Sequence, residues 1–122
     1  MTERTQRWRV RLTATAASDF EYILEWTVER FGEVQAFVYA ETLSLAIQAL
    51  TEGPSIPGVR QREQILKGLY SLHVTRQGRR GRHFVMFRIA ASGDAIDVLR
   101  ILHDSMDLPR HLRGDPPQLP NE

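Results

Sequence analysis

The apolar residues of this chain change their spacing once, from a helical period to a strand period, and this change limits the folds open to it. Before residue 52 they follow the period of two amphipathic helices. The first stripe comprises Phe20, Ile23, Leu24, Thr27 and Phe31; the second comprises Ala36, Ala40, Leu43, Ile47 and Leu50, broadened by Phe37, Val38 and Ala46. Thr13 is a candidate N-cap for the first helix, and Gly32 is suited to end it. Because the link between the helices is so short, they are predicted to form an antiparallel α-hairpin.

Strand-like runs follow the segment EGPSIPG (52–58), whose prolines and glycines end the second helix. The runs are LYSLHVT (69–75), RHFVMFRIA (82–90) and AIDVLRILH (95–103), and turn-like RQGRRG (76–81) and AASGD (90–94) separate them. An earlier run, WRVRLTA (8–14), alternates apolar and basic residues like a half-buried strand. The predicted fold is therefore α+β, in the order β-α-α-β-β-β. In it an α-hairpin packs on one face of a twisted antiparallel sheet.

Length and composition indicate one soluble intracellular domain. The chain has 122 residues, of which 42% are hydrophobic and 25% charged. It has no cysteine, which excludes disulfides and thiolate metal sites, and no apolar run approaches the roughly 20 residues that span a bilayer. The N-terminus does not resemble a secretory signal, so a cytoplasmic protein is expected. Residues 1–113 are predicted to form the domain, and the polar, proline-rich residues 114–122 a disordered tail.

Basic residues concentrate in the arginine loop, defined here as residues 76–82. Residues 54–89 carry eight bases against Glu63, net +7, whereas residues 15–53 carry seven acids against Arg30, net −6. The loop is interpreted as a β-hairpin turn. An alternative function is contact with phosphates or an acidic partner through Arg79, Arg80 and Arg82. The loop has no aromatic residue to stack on a base, so sequence-specific nucleic-acid recognition is not supported.

The candidate catalytic residues are few. The four histidines, His73, His83, His103 and His111, lack metal-ligand spacing, so neither a metal nor another cofactor is expected. No serine lies in a nucleophile-elbow motif. His103 ends the last strand beside Asp104 and could act as a general acid or base. The alternative is a histidine that is simply hydrogen-bonded at a strand end.

Five stretches, two of them the middle strands, together resemble one known family. They are RLTATAASDFEYILEWTVERFG (11–32), EVQAFVYAETLSLAIQALTEGPSIPG (33–58), the middle strands LKGLYSLHV (66–74) and RHFVMFRIA (82–90), and IDVLRILHDSMDLPRHL (96–112). In this order they resemble toxins of the ParE/RelE superfamily of bacterial type II toxin–antitoxin modules. The last stretch is similar to the ending of the ParE branch. The resemblance covers nearly the whole chain and implies a cognate antitoxin that binds and neutralises the toxin.

Two activities follow from the resemblance. RelE-like members cut messenger RNA on the ribosome, and ParE-like members poison DNA gyrase without cleaving anything themselves. This chain has no tyrosine after Tyr70, where the cutting members often have a catalytic phenol, and His73 stands where they have an arginine. A gyrase inhibitor is therefore expected. The alternatives are a ribonuclease built from His103, Arg88 and Arg100, and a degenerate toxin fold that serves only as a binding module.

The resemblance also places the binding surfaces. By position in the family pattern, the residues expected to act on the target are His103, Met106, Asp107 and Arg110. For the antitoxin, an amphipathic segment is expected to bind a sheet face that the α-hairpin leaves uncovered, with Phe84 and Met86 on it. Main-chain pairing at a sheet edge is a second way for the antitoxin to bind.

Overall fold

The computed structural model of the chain describes residues 7–112, and the tail predicted for residues 114–122 lies outside them. The elements are β1 (Arg9–Leu12), α1 (Ala14–Phe31), α2 (Glu33–Ala49), a 3₁₀ turn (Leu50–Glu52), β2 (Arg60–Gln61), β3 (Tyr70–His73), β4 (His83–Ile89), β5 (Ala95–His103) and α3 (Leu108–Leu112). This order confirms the predicted α+β fold. The two-residue strand β2 is an addition that the sequence patterns did not indicate, whereas α3 forms over LPRHL (108–112), where one helical turn is predicted. Within residues 7–112, no helix is long and apolar enough to cross a membrane.

The α-hairpin begins and turns where the sequence predicts. Thr13 Oγ1 accepts a hydrogen bond from the Ala16 N–H at 3.0 Å, which caps α1. Gly32 ends α1 with φ at 92°, a backbone conformation that favours glycine, and its N–H donates to the Val28 carbonyl at 2.9 Å. The chain turns at this one residue, so α2 can begin at Glu33 and pack back along α1.

The strands form one sheet in the order β1-β5-β4-β3-β2. The pairs β2–β3, β3–β4 and β4–β5 are antiparallel, but β1 pairs parallel with β5, from Arg9 opposite Ala95 to Leu12 opposite Val98. The prediction of an antiparallel sheet is therefore wrong for β1. Apolar alternation shows which face of a strand is buried but not the direction of its partner. The parallel pair is bridged by Arg11 and Asp97, whose nitrogen and oxygen lie 2.8 Å apart.

Both faces of the sheet are covered. The core between sheet and α-hairpin contains Ala16, Ile23, Leu43, Ala46, Leu50, Leu72, Val74, Val85, Phe87, Ile96, Val98 and Ile101. A second cluster on the opposite face contains Ile65, Leu69, Met86, Leu102 and Leu112. The prediction that this face is uncovered is wrong, because the loop before β3 and helix α3 fold over it. Met86 is fully buried and Phe84 is half-buried, so Met86 is not available to an antitoxin in this structure.

Candidate functional site

The ends of β3, β4 and β5 bring together a group of polar side chains, here called the strand-end cluster. It comprises Tyr39 of α2 together with His73, Arg82, His83, His103, Asp104 and Ser105. The register of β4 and β5 places His83 opposite His103, and their ring centroids lie 5.1 Å apart. Antiparallel pairing thus joins residues that are far apart in the sequence.

One half of the strand-end cluster fixes His83 in a neutral form. The Tyr39 hydroxyl lies 2.7 Å from His83 Nδ1 and accepts the Arg82 backbone N–H at 3.0 Å. Burial raises the pKa of Tyr39, so the hydroxyl keeps its proton and donates it to Nδ1. Burial, with the nearby His103 as the next cause, lowers the pKa of His83 to about 4. His83 is therefore neutral at pH 7 and carries its proton on Nε2.

The other half of the cluster holds a carboxylate. Asp104 Oδ2 lies 2.9 Å from His73 Nε2, and Asp104 Oδ1 lies 3.2 Å from an Arg82 guanidinium nitrogen. The hydrogen bond from His73, followed by that from Arg82, lowers the pKa of Asp104 below its ordinary value. Phe84 lies beside this half, with its ring centroid 4.9 Å from that of His73 and 5.1 Å from the Arg62 guanidinium carbon. These contacts tie together the ends of three strands.

An open cleft of about 330 Å³ lies between α1 and the strand ends. Tyr22 and Trp26 of α1 form one wall, and His83, His103, Ser105 and Met106 form the other. His103 Nδ1 accepts the Ser105 backbone N–H at 3.1 Å, which fixes the orientation of the ring. Asp19 and Arg100 also line the cleft, paired at 2.8 Å between Oδ2 and Nε. The cleft thus combines exposed aromatic rings with polar groups that already have partners.

The four residues predicted to act on the target divide between the cleft and the turn after it. His103 and Met106 line the cleft. Asp107 and Arg110 do not line it and are exposed, and Asp107 Oδ1 accepts the Arg110 N–H at 3.4 Å at the start of α3. Of the four residues predicted to act on the target, the structure therefore brings two, His103 and Met106, into one cleft.

The alternative ribonuclease residues are not brought together. Arg88 lies opposite Asp97, at the far end of β4 from the pair of His83 and His103. Arg100 lines the same cleft as His103, but its guanidinium donates to Asp19 at 2.8 and 3.1 Å. Cleavage of RNA needs free cations beside an acid and a base, and this arrangement does not supply them.

The arginine loop is a hairpin turn, as predicted, but Arg79, Arg80 and Arg82 do not form one anion-binding surface. Arg79 donates to the Val38 carbonyl at 3.0 Å and to Thr42 Oγ1 at 2.9 Å, so it secures the turn to α2. Arg82 pairs with Asp104, whereas Arg80 is exposed. Arg79 is therefore engaged with α2, whereas the alternative function predicted for the loop needs its donors for phosphates or an acidic partner.

Comparison with known proteins identifies the family. The chain matches, over residues 10–108, the model of the family described as the ParE toxin of the type II toxin–antitoxin system parDE. This chain belongs to the ParE toxin family. It is 31% identical to Toxin ParE1 of Caulobacter vibrioides over 102 residues, which cover 84% of this chain and 95% of that protein. It is 33% identical to Toxin ParE1 of Mycobacterium tuberculosis over 104 residues, or 85% and 97% of the two chains.

Solved structures agree with this ParE-family assignment at the level of the fold. A chromosomal ParDE toxin–antitoxin system from P. aeruginosa has a chain with a TM-score of 0.66 and 21% identity, covering 81% of this chain and 98% of that one. The toxin–antitoxin complex RelBE2 of Mycobacterium tuberculosis has a chain with a TM-score of 0.51 and 23% identity, covering 80% and 98%. The predicted resemblance to the ParE/RelE superfamily is thereby confirmed, and this ParE-family chain is the toxin of a type II toxin–antitoxin module.

Sequence reasoning missed the partners that order the strand-end cluster of this ParE-family toxin. Tyr39 and His83 are 44 residues apart, and His73 and Asp104 are 31 apart, so no local spacing reports these contacts. One signal was present. Tyr39 follows Ala36 by three residues and precedes Leu43 by four, which places its hydroxyl on the buried stripe of α2. A buried hydroxyl needs a hydrogen-bond partner, and that requirement points to the sheet.

The neutral His83 predicts a pH dependence of stability for the ParE-family toxin. An unfolded histidine takes up a proton near pH 6.5, whereas folded His83 does so only near its pKa of about 4. The stability that neutral His83 provides is therefore complete above pH 6.5 and is lost as the pH falls from 6.5 towards 4. When the pH is lowered from 7 to 5, the free energy of unfolding of the wild type should fall by about 1 to 2 kcal/mol more than that of His83→Gln. This value is reduced for partial solvent exposure. Urea unfolding at both pH values measures this, and equal losses would contradict it.

Proposed function

We propose that this ParE-family toxin inhibits DNA gyrase by direct contact through the cleft beside the strand-end cluster. The observation that carries the proposal is the exposed apolar rim of this cleft. Tyr22 is 66% exposed, and Trp26 and Met106 are each 41% exposed, although large apolar side chains are usually covered. Aromatic residues and methionine around an open cleft are typical of a protein-binding surface.

The electrostatics of the cleft favour binding over chemistry. A general base should have a pKa near the working pH, but the pKa of His83 is lowered to about 4 and its Nδ1 already accepts from Tyr39. Arg100 is neutralised by Asp19, so it is not free to stabilise a developing phosphorane charge. Both features support a toxin that holds its target without cleaving nucleic acid. The ribosome-dependent ribonuclease remains the alternative to be tested.

The proposal includes a cognate antitoxin and action in the cytoplasm, where gyrase works. The structural neighbours come from toxin–antitoxin systems, which supports an antitoxin as the physiological partner. Met86 is fully buried and Phe84 half-buried, which argues against the antitoxin site that the sequence predicted. We therefore expect a different surface to receive the antitoxin.

The test combines the purified chain with DNA gyrase, relaxed plasmid and ATP. We expect loss of supercoiling and accumulation of trapped, cleaved DNA. The double variant His103→Ala/Met106→Ser should raise the toxin concentration needed for half-inhibition about tenfold, since it removes two side chains from the cleft wall. The control variant Asp94→Asn lies in the turn at the opposite end of β5 from the cleft, and it should inhibit gyrase as strongly as the wild type does.

Two outcomes would overturn the gyrase proposal. Unchanged supercoiling with wild-type toxin is the first, and the same preparation should then be added to translating ribosomes and the messenger RNA examined for cuts. The second is an equal loss of inhibition in Asp94→Asn, because that would show that the cleft is not the contact surface. If strong expression leaves growth unaffected, the degenerate binding module is favoured instead.

A further inference from the structure

A second cleft, here called the Arg76 groove, lies between the C-terminal half of α2 and the arginine loop. Its volume is about 400 Å³. Its walls are largely apolar and comprise Leu45, Ala46, Ala49, Ile56, Pro57 and Val74. Arg76 and Arg79 of the arginine loop also line it, as does Glu52 from the end of the helical segment. The groove therefore offers an apolar channel together with two guanidinium groups.

A tight turn fixes the two arginines side by side. The Arg79 N–H donates to the Arg76 carbonyl at 3.0 Å, and the two residues between them, Gln77 and Gly78, have φ values of 51° and 83°. Two successive positive φ values in a hydrogen-bonded four-residue turn define type I′. Its first and fourth residues face each other across the hairpin, which explains why two like charges line one groove. Glutamine is an uncommon residue at such a φ, so the turn is held by its surroundings.

The two guanidinium groups differ in whether the Nε–H donor has a hydrogen-bond partner. Arg79 Nε and Nη2 donate to Thr42 Oγ1 at 3.1 and 2.9 Å, and Nη2 also contacts the Val38 carbonyl and Glu41. Arg76 Nε, in contrast, is buried and has no hydrogen-bond partner, and within residues 7–112 it is the one buried side-chain nitrogen or oxygen atom of this kind. A buried charged donor without an acceptor is unfavourable and is satisfied well by a carboxylate.

An exposed apolar stripe on α2 leads towards the groove. Val34, Val38 and Leu45 are 78%, 41% and 43% exposed. Their spacings of four and seven residues place them on one side of the helix, and Leu45 is also part of the groove wall. The stripe therefore meets the groove at Leu45, and Arg76 lines the groove beside it.

We infer that the Arg76 groove binds a carboxylate side chain from a segment of the antitoxin that lies along this stripe. The segment is expected to carry one acidic residue flanked by aliphatic residues. The aliphatic side chains match the apolar walls, and the carboxylate pairs with the Arg76 guanidinium where this side chain lines the groove. Glu52 lines the same groove, so a second acidic residue is disfavoured there. This inference rests on the pairing of the toxin with an antitoxin and is independent of whether gyrase is the target.

The test uses the purified full chain and two short peptides that differ at one position. N-acetyl-Leu-Glu-Leu-amide supplies the carboxylate, and N-acetyl-Leu-Gln-Leu-amide is its uncharged control. Titrations are followed by NMR through the arginine Nε–Hε signals. The Arg76 signal should shift and saturate with the glutamate peptide, and the glutamine peptide should bind about tenfold more weakly for want of a charge-assisted hydrogen bond.

Three variants give the inference its controls. Arg76→Gln should abolish the preference for the glutamate peptide, while Arg80→Gln, in the same loop but exposed, should leave it unchanged. Leu45→Ser keeps the arginine and should weaken binding of both peptides about threefold, through lost apolar contact. Equal responses to the two peptides would overturn the inference. So would loss of the preference in Arg80→Gln, or a glutamate peptide that leaves the Arg76 signal unmoved.

Discussion

Replacing Asp19 by alanine is expected to lower the free energy of unfolding by about 3 to 5 kcal/mol. The Asp19 carboxylate accepts from Arg100 at 2.8 and 3.1 Å and from the Ile101 backbone N–H at 2.9 Å. The side chains of Asp19 and Arg100 are only 16% and 18% exposed. Removal of the carboxylate leaves a largely buried guanidinium without its counter-charge and an unsatisfied backbone donor. This cost exceeds that of breaking an exposed ion pair.

Urea unfolding of three matched variants measures this effect. Asp94→Asn removes a carboxylate whose partner Arg9 lies 3.4 Å away in an exposed pair, and it should lower the free energy of unfolding much less than Asp19→Ala does. The double variant Asp19→Leu/Arg100→Met removes both charges and should recover much of the stability lost in Asp19→Ala. If Asp19→Ala costs no more than Asp94→Asn, the pair does not hold α1 to β5.

Replacing Gly81 by alanine is expected to cost about 1 to 3 kcal/mol, the usual range for overpacking. An added Cβ would lie 2.3 Å from Val74 Cγ2 and 2.8 Å from the Tyr39 hydroxyl oxygen. Val74 is buried and Tyr39 is hydrogen-bonded to His83, so neither can move without loss. As Tyr39 is displaced, His83 should become better hydrated, and its pKa should rise from about 4 towards 6.5.

Gly78→Ala separates this packing effect from backbone strain. Gly78 has φ at 83°, but an added Cβ would meet nothing within 4 Å, so its cost of about 1 kcal/mol should come from the backbone alone. NMR titration of the histidines distinguishes the two variants. Only Gly81→Ala should change the titration of His83, and an unchanged His83 in that variant would contradict the proposed contact with Tyr39.

The α-hairpin and the meander β3–β4–β5 were predictable because their residues repeat with clear periods and their turns contain glycine or proline. Two features of the fold were not predictable in this way. The parallel pairing of β1 depends on where β5 ends up, which alternation does not encode. The second cluster is formed by Ile65, Leu69 and Leu112, which lie in a short loop and a five-residue helix that show no period of their own.

In the candidate site, too, features that depend on nearby residues were predictable, and features that depend on distant residues were not. His103 and Met106, expected from their position in the family pattern, line one cleft because they are close in the sequence. The exposure of Phe31 at 64% and Phe37 at 73% was not foreseen, because each falls on or beside an apolar stripe that is buried further from the turn. The contacts of Tyr39 and Asp19 with the sheet arise from three-dimensional packing, which a single sequence does not report.

The parallel pairing of β1 with β5 has a consequence for synthesis of the toxin. Arg11 and Asp97 are 86 residues apart, so the first strand can find its neighbour only after the last strand has left the ribosome. The cleft needs α1 from the beginning of the chain and His103 and Met106 from near its end. A nascent chain interrupted before β5 therefore has no finished cleft. If the cleft is the surface that contacts gyrase, as proposed, an incomplete chain lacks that surface until translation is almost complete.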